Sequence, residues 1–192
     1  MIHATLSEMM DALPANARLL GLDVGSKTIG LAISDSAHKV ASSIHTIRRI
    51  KFSKDVVILQ QAATERGAAG LILGLPVSMD GTEGPACQSV RQFAANVDCA
   101  FDTHISFWDE RLSTSAVERF LVKEADMSRS RRAQVVDKMA ATYILQGALD
   151  SPFIPAGITA RAHSSMPYWT IKHQCPPRMM IQKATEPMHS SA

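Results

Sequence analysis

"RLLGLDVGSKTIGLAIS", residues 18–34, sets two apolar runs, 18–22 and 29–33, around the short stretch "DVGSK". The second run alternates. Ile29, Leu31 and Ile33 share one face, and Gly30, Ala32 and Ser34 the other, which is the period of a β-strand. So short a connection predicts an antiparallel hairpin, with strands over 18–23 and about 28–35. Asp23 is the anomaly, an acid at the end of the first apolar run, close to Gly25. A carboxylate beside a core must be hydrated, paired or neutralised, because its unpaired burial is costly.

The pattern continues through a third strand over 39–47, carried by Val40, Ile44 and Ile47, and then changes period. "SKDVVILQQAATERG" reads as a helix with Ser53 as N-cap, Val56, Leu59 and Ala63 on one stripe, and Gly67 past its end. "LILGLP", 71–76, is apolar throughout, as in a strand covered on both faces. Pro85 opens a second helix with Ala86, Val90, Phe93, Ala94 and Val97 as its stripe. "FDTHISFW", 101–108, alternates again, with His104 as a surface or edge residue. Ser115 and Glu118 form a capping box for a third helix to about 125, and a fourth runs over about 129–149. Ahead of the hairpin, 4–13 can form a short helix that Pro14 stops. Strands and helices in the order β-β-β-α-β-α-β-α-α predict an α/β fold, a mixed five-stranded sheet with helices on both faces.

Composition narrows the class. The chain has 192 residues, 46% hydrophobic and 20% charged, which suits one soluble domain with extensions. No apolar run approaches a membrane span, and the first 18 residues, with Glu8 and Asp11, lack the pattern of a secretory signal. Cys87, Cys99 and Cys175 are widely spaced, without a CxxC pair. They read as free thiols in a reducing compartment, with the cytoplasm as the expected location. Net charge is +2, but residues 1–150 carry 16 basic and 17 acidic side chains, so the excess lies in the tail. Residues 151–192 hold six of the nine prolines and no apolar period, and are expected to be disordered. The predicted organisation is an N-terminal extension over 1–17, a domain over 18–150 and this tail.

Three acidic positions stand out. Asp23 ends a strand; Asp109 and Glu110 end another in "WDERLST"; Asp137 starts a stripe continued by Ala140, Ala141, Ile144, Leu145 and Ala148. Each has an ordinary explanation: a turn residue, an ion pair with Arg111 or Lys138, a frayed helix start. Converging at one sheet edge, they would instead hold one or two hard divalent cations, Mg²⁺ or Mn²⁺, suited to phosphodiester hydrolysis. Two basic clusters point the same way. Arg48, Arg49, Lys51 and Lys54 follow the third strand, and Arg129, Arg131 and Arg132 precede Asp137. Such clusters suit a phosphate backbone, though short charge runs are also common as solvated faces. Lys27 stands where it could touch a phosphate, or be a plain surface lysine. Glu83, in the glycine-containing loop "GLPVSMDGTEGP", is placed near the same cleft.

"GLDVGSKTIGLAISD", "LILGLPVSMDGTEGP", "DERLST" and "VVDKMAATYILQGALD", in that order, closely resemble the YqgF family of RNase H-like proteins over about 18–150. Members are described as pre-16S ribosomal RNA nucleases and, earlier, as Holliday-junction-resolvase homologues. The resemblance implies an RNase H-like fold with sheet order 3-2-1-4-5, and divalent-metal hydrolysis trimming the 5′ end of pre-16S rRNA during ribosome assembly. By position it implies Asp23, Glu110 and Asp137 as catalytic metal ligands; in the mechanism expected on that basis, Arg111 or Lys138 steadies the scissile phosphate. Rival readings are a DNA-junction resolvase, a non-catalytic RNA-binding ribosome-assembly factor, and an actin- or sugar-kinase-type nucleotide binder. That last class folds as two related domains, and 150 residues supply one.

Overall fold

A computed structural model describes residues 1–14, 16–112 and 129–151, without the side chains of 112 and 129–138. Strands β1 (Arg18–Val24), β2 (Thr28–Ser34) and β3 (Ala41–Arg48) meander antiparallel. They are followed by helices α2 (Phe52–Arg66) and α3 (Pro85–Ala100), which flank β4 (Ala68–Leu75). Helix α1 itself is Leu6–Ala12, ahead of the sheet. β5 (His104–Asp109) runs into a 3₁₀ turn, Glu110–Leu112, and α4 (Arg129–Asp150) closes the described chain. β4 lies parallel to β1 and β5, so the sheet order is β3-β2-β1-β4-β5. This is the RNase H-like arrangement expected. The helix expected over 115–125 and the tail beyond 151 lie outside the described residues.

Side-chain alternation divides the core in two. Leu20 and Leu22 of β1, Leu71, Leu73 and Leu75 of β4, and Ile105 of β5 face α2 and α3. Leu19 and Ile72 face the other way, into a smaller core with Met9 of α1 and Ala141, Ile144, Leu145 and Ala148 of α4. Two-residue periodicity then puts Gly21 and Asp23 on the α4 face with Leu19. Gly21 is what lets the helix so close. A β-carbon there would stand 2.6 Å from Leu145 Cβ and 2.9 Å from the Ala141 carbonyl oxygen.

Gln146 fixes the helix along the sheet. Its Oε1 accepts from Ala41 N–H at 2.8 Å, and its Nε2 donates to the Lys39 carbonyl at 3.0 Å. Ala41 pairs with Ser34, beyond the Leu20–Ile33 pair, so the C-terminal half of α4 lies toward the start of β1. The helix therefore runs against β1, and the backbone of residue 137 lies toward the Asp23 end.

One expectation needs correction. Helix α2 starts at Phe52, with Lys51 at the N-cap position and no side-chain cap, not with Ser53. Asp55, fully inside the first turn, supplies a carboxylate to the backbone instead, accepting from Ile50 N–H at 3.2 Å. Of the cysteines expected to be free, Cys87 is buried and free. His104, expected at a surface or edge, lies half-buried on the edge strand β5 and stacks on His3, with ring centroids 5.1 Å apart. The first residues reach it because Ile2 adds a parallel bridge to Ile105 along the free edge of β5. Thr5 caps α1, accepting from Glu8 N–H at 3.2 Å, which presents Met9 to the second core.

Candidate active site

The site forms where β1, β4 and β5 end on the α4 face. Asp23 is opposite Gly30 in the antiparallel register, a neighbour without a side chain. Leu22 is level with Leu73, and Gly74 with Trp108. The last residue of each strand therefore reaches one edge. Gly74 is an opening in that edge. A β-carbon there would lie 2.5 Å from Glu110 Oε1 and 2.4 Å from Ile144 Cδ1. The Glu110 carboxylate thus rests on bare β4 backbone, beside the apolar stripe of α4.

The adjacent acids separate cleanly. Asp109 ends β5 and is bound by its neighbour: Arg111 Nε donates at 3.0 and 3.1 Å and Nη2 at 2.6 Å. Arg111 Nη1 also donates to the Ser78 carbonyl at 3.4 Å, tying the β4–α3 loop to this turn. Glu110 turns inward to Asp23. Burial first, then the nearby charges of Asp23 and Asp109, push its carboxyl up to about 7. Like-charge crowding in a half-buried place is what a cation would relieve.

Asp23 and Glu110 are therefore brought together. Asp137 lies in α4, and its side chain, with those of Arg129, Arg131, Arg132 and Lys138, is outside the described set. Lys27 and Arg48 are exposed at the same end of the sheet, at the β1–β2 turn and the end of β3. Lys51 and Lys54 are exposed just beyond them. Arg49 is turned inward, its Nη1 donating to the Gly25 carbonyl at 2.7 Å. Glu83 does not join the acids; Arg91 holds it through two hydrogen bonds, one of 2.7 Å from Nε. Sequence reasoning missed the supporting glycines. Their signal was present as parity, Gly21 two residues before Asp23 and Gly74 two after buried Ile72.

A carboxylate pair at the strand ends of a 3-2-1-4-5 sheet defines the class, an RNase H-like α/β domain with an acidic site. The chain belongs to the family described as "RuvX: Holliday junction resolvase", whose model matches residues 17–151, and the YqgF resemblance is to this same family. A relative from Paramagnetospirillum magneticum, named "Putative pre-16S rRNA nuclease", is 59% identical over 145 residues, 76% of this chain and 93% of that protein. One from Cereibacter sphaeroides (strain ATCC 17025) with the same name is 52% identical over 150 residues, 78% of this chain and 93% of that protein. Among solved structures, T. thermophilus RuvC in complex with a Holliday junction substrate aligns at 13% identity and a TM-score of 0.39. That alignment spans 67% of this chain and 91% of the other.

Proposed function

We propose that this protein is a divalent-metal-dependent phosphodiester hydrolase that processes the 5′ end of pre-16S rRNA during ribosome assembly in the cytoplasm. The observation that carries the proposal is the Asp23–Glu110 pair at the strand ends, where burial and the neighbouring charges of Asp23 and Asp109 push the Glu110 carboxyl up to about 7. Family membership and the names of relatives at 50–59% identity support the substrate.

The residues present fit a hard cation. Both donors are carboxylates, Gly74 lets Glu110 lie against the end of β4, and Glu110 would exchange its proton for the ion. Asp23, Glu110 and Asp137 would hold Mg²⁺ or Mn²⁺, which supplies Lewis-acid stabilisation of charge developing on the phosphate oxygens. The chain's own groups do the rest. The Gly74 opening lets Glu110 lie flat against the sheet, and α4 keeps that side apolar, so the carboxylates act in a partly dry place. Asp109, by engaging Arg111, keeps the guanidinium at the rim, where it can meet a phosphate. Lys27 and Arg48, with Arg129, Arg131, Arg132 and Lys138, would supply backbone contacts that position RNA without reading sequence.

A second reading has one observation in its favour, the family description as a Holliday junction resolvase. The experiment that separates the two offers purified protein a 5′-extended 16S precursor fragment and a four-way DNA junction, with Mg²⁺, Mn²⁺ or chelator. Metal-dependent cutting of the RNA supports the proposal. Cutting of the junction alone moves the activity to DNA, and cutting of neither, with RNA bound, makes the protein an assembly factor.

A further inference from the structure

Arg49 sits in a basic run, beside exposed Arg48 and Lys51, yet its side chain leaves that surface. Parity with Ile47, a residue of the α2–α3 core, directs it to the sheet face opposite α4. There it makes three attachments. Nη1 donates to the Gly25 carbonyl at 2.7 Å, Nε approaches Asp55 Oδ2 at 3.9 Å, and the guanidinium lies 5.5 Å from the centre of the Phe93 ring. Its partners are themselves fixed. Asp55's side chain is 3% exposed and anchored to Ile50 N–H in the first turn of α2, and Phe93 is buried with its ring edge-on to Phe52.

The object of these attachments is the turn after Asp23. Arg49 N–H donates to the Lys27 carbonyl at 2.9 Å, and Gly25 N–H to the Thr28 carbonyl at 2.9 Å. Main chain and side chain of Arg49 thus grip both ends of Gly25–Lys27, while Gly25 lies two residues from Asp23. We propose that Arg49, held by Asp55 and Phe93, is a positioning residue that locks the Gly25–Lys27 turn, and so the end of β1 carrying Asp23, from the opposite face of the sheet. As to catalysis this rests on the nuclease proposal; as to the turn it does not. An arginine reserved for RNA would need freedom to swing outward, and three attachments remove it.

The test uses the full chain and two variants. Arg49→Lys keeps a cation beside Asp55 but loses the planar fork. Arg49→Met with Asp55→Asn removes both charges, so no buried carboxylate is stranded. Two properties are measured: amide hydrogen exchange at Gly25 and Arg49, and cleavage of the RNA precursor across substrate and salt concentrations. The lock predicts exchange at these two amides at least about tenfold faster, with the rest of β1 and β2 unchanged. It also predicts kcat lower by about 10- to 100-fold, with KM and salt dependence as in wild type. Unchanged exchange overturns it, as does loosening spread evenly over the hairpin. KM raised with kcat intact, and a salt slope reduced by about one, would make Arg49 a phosphate contact and equally overturn the lock. If wild type cuts nothing, the function proposed above fails, and the exchange data still decide the lock.

Discussion

Replacing Gly21 and Gly74 separately with alanine tests how α4 covers the site. In an unobstructed strand, Gly→Ala should stabilise by about 0.5–1 kcal/mol through reduced chain entropy. At Gly21 the new methyl would stand 2.6 Å from Leu145 Cβ and 2.9 Å from the Ala141 carbonyl oxygen, about 1 Å inside normal contact. Both atoms belong to the helix frame and cannot rotate away. The helix must lift, loosening Ile144, Leu145 and Ala148, so the cost should reach the upper end of the roughly 1–3 kcal/mol typical of overpacking. At Gly74 the obstacles are Glu110 Oε1 at 2.5 Å and Ile144 Cδ1 at 2.4 Å, both ends of side chains that can turn. That substitution should cost about 1 kcal/mol or less, and do its damage by displacing Glu110.

Thermal unfolding and cleavage assays on the two variants provide the check. At about 2–4 °C per kcal/mol for a chain of this size, Gly21→Ala should melt about 6–12 °C below wild type, and Gly74→Ala no more than about 4 °C below. Cleavage by Gly74→Ala at a temperature where it is fully folded should fall by about 10- to 100-fold. Gly21→Ala melting at or above wild type would refute the packing of α4 on β1. A fully active Gly74→Ala would refute the placement of Glu110.

Further predictions follow from individual groups. Glu110 has a folded-state pKa raised from 4.5 to about 7, so the folded chain binds more protons than the unfolded one in that window. Its penalty is absent below about pH 4.5 and complete above about pH 7, and stability should fall as pH rises between them. Glu110→Gln should flatten that slope in chelator-treated melts, and wild-type Mn²⁺ affinity should rise with pH up to about 7 as the proton becomes easier to displace. Thr5→Ala removes the cap of α1 and should cost about 1 kcal/mol in chemical denaturation, without changing kcat.

The fold was legible because its elements differ in period. The alternation from 29 to 34, the helical stripes through Val56 and Val90, and the unbroken apolar run at 71–75 each favour one type of element. Pairing followed from the hairpin connection and from the helices separating the later strands. Less legible were features set by contacts distant in sequence. Arg49 looks like its exposed neighbours in the run 48–54, and only Phe93 and Asp55 show that it points inward. Asp109 and Glu110 are chemically alike in sequence; the 3₁₀ turn gives one to Arg111 and the other to Asp23. The start of α2 was misplaced because Ser53 is the better capping residue, while Asp55 satisfies the backbone from within the first turn. The first residues of the chain held no strand signal, since their bridge to Ile105 depends on a free sheet edge.

The central claim is that the Asp23–Glu110 pair is the catalytic site of a metal-dependent nuclease. Its most direct test is cleavage of a 5′-extended 16S precursor RNA by wild type and Asp23→Asn side by side, with Mg²⁺, Mn²⁺ or chelator, and RNA binding measured in parallel. The account predicts metal-dependent cutting by wild type, none by Asp23→Asn, and RNA affinity within about twofold between them. An Asp23→Asn variant that cuts as well as wild type would contradict it.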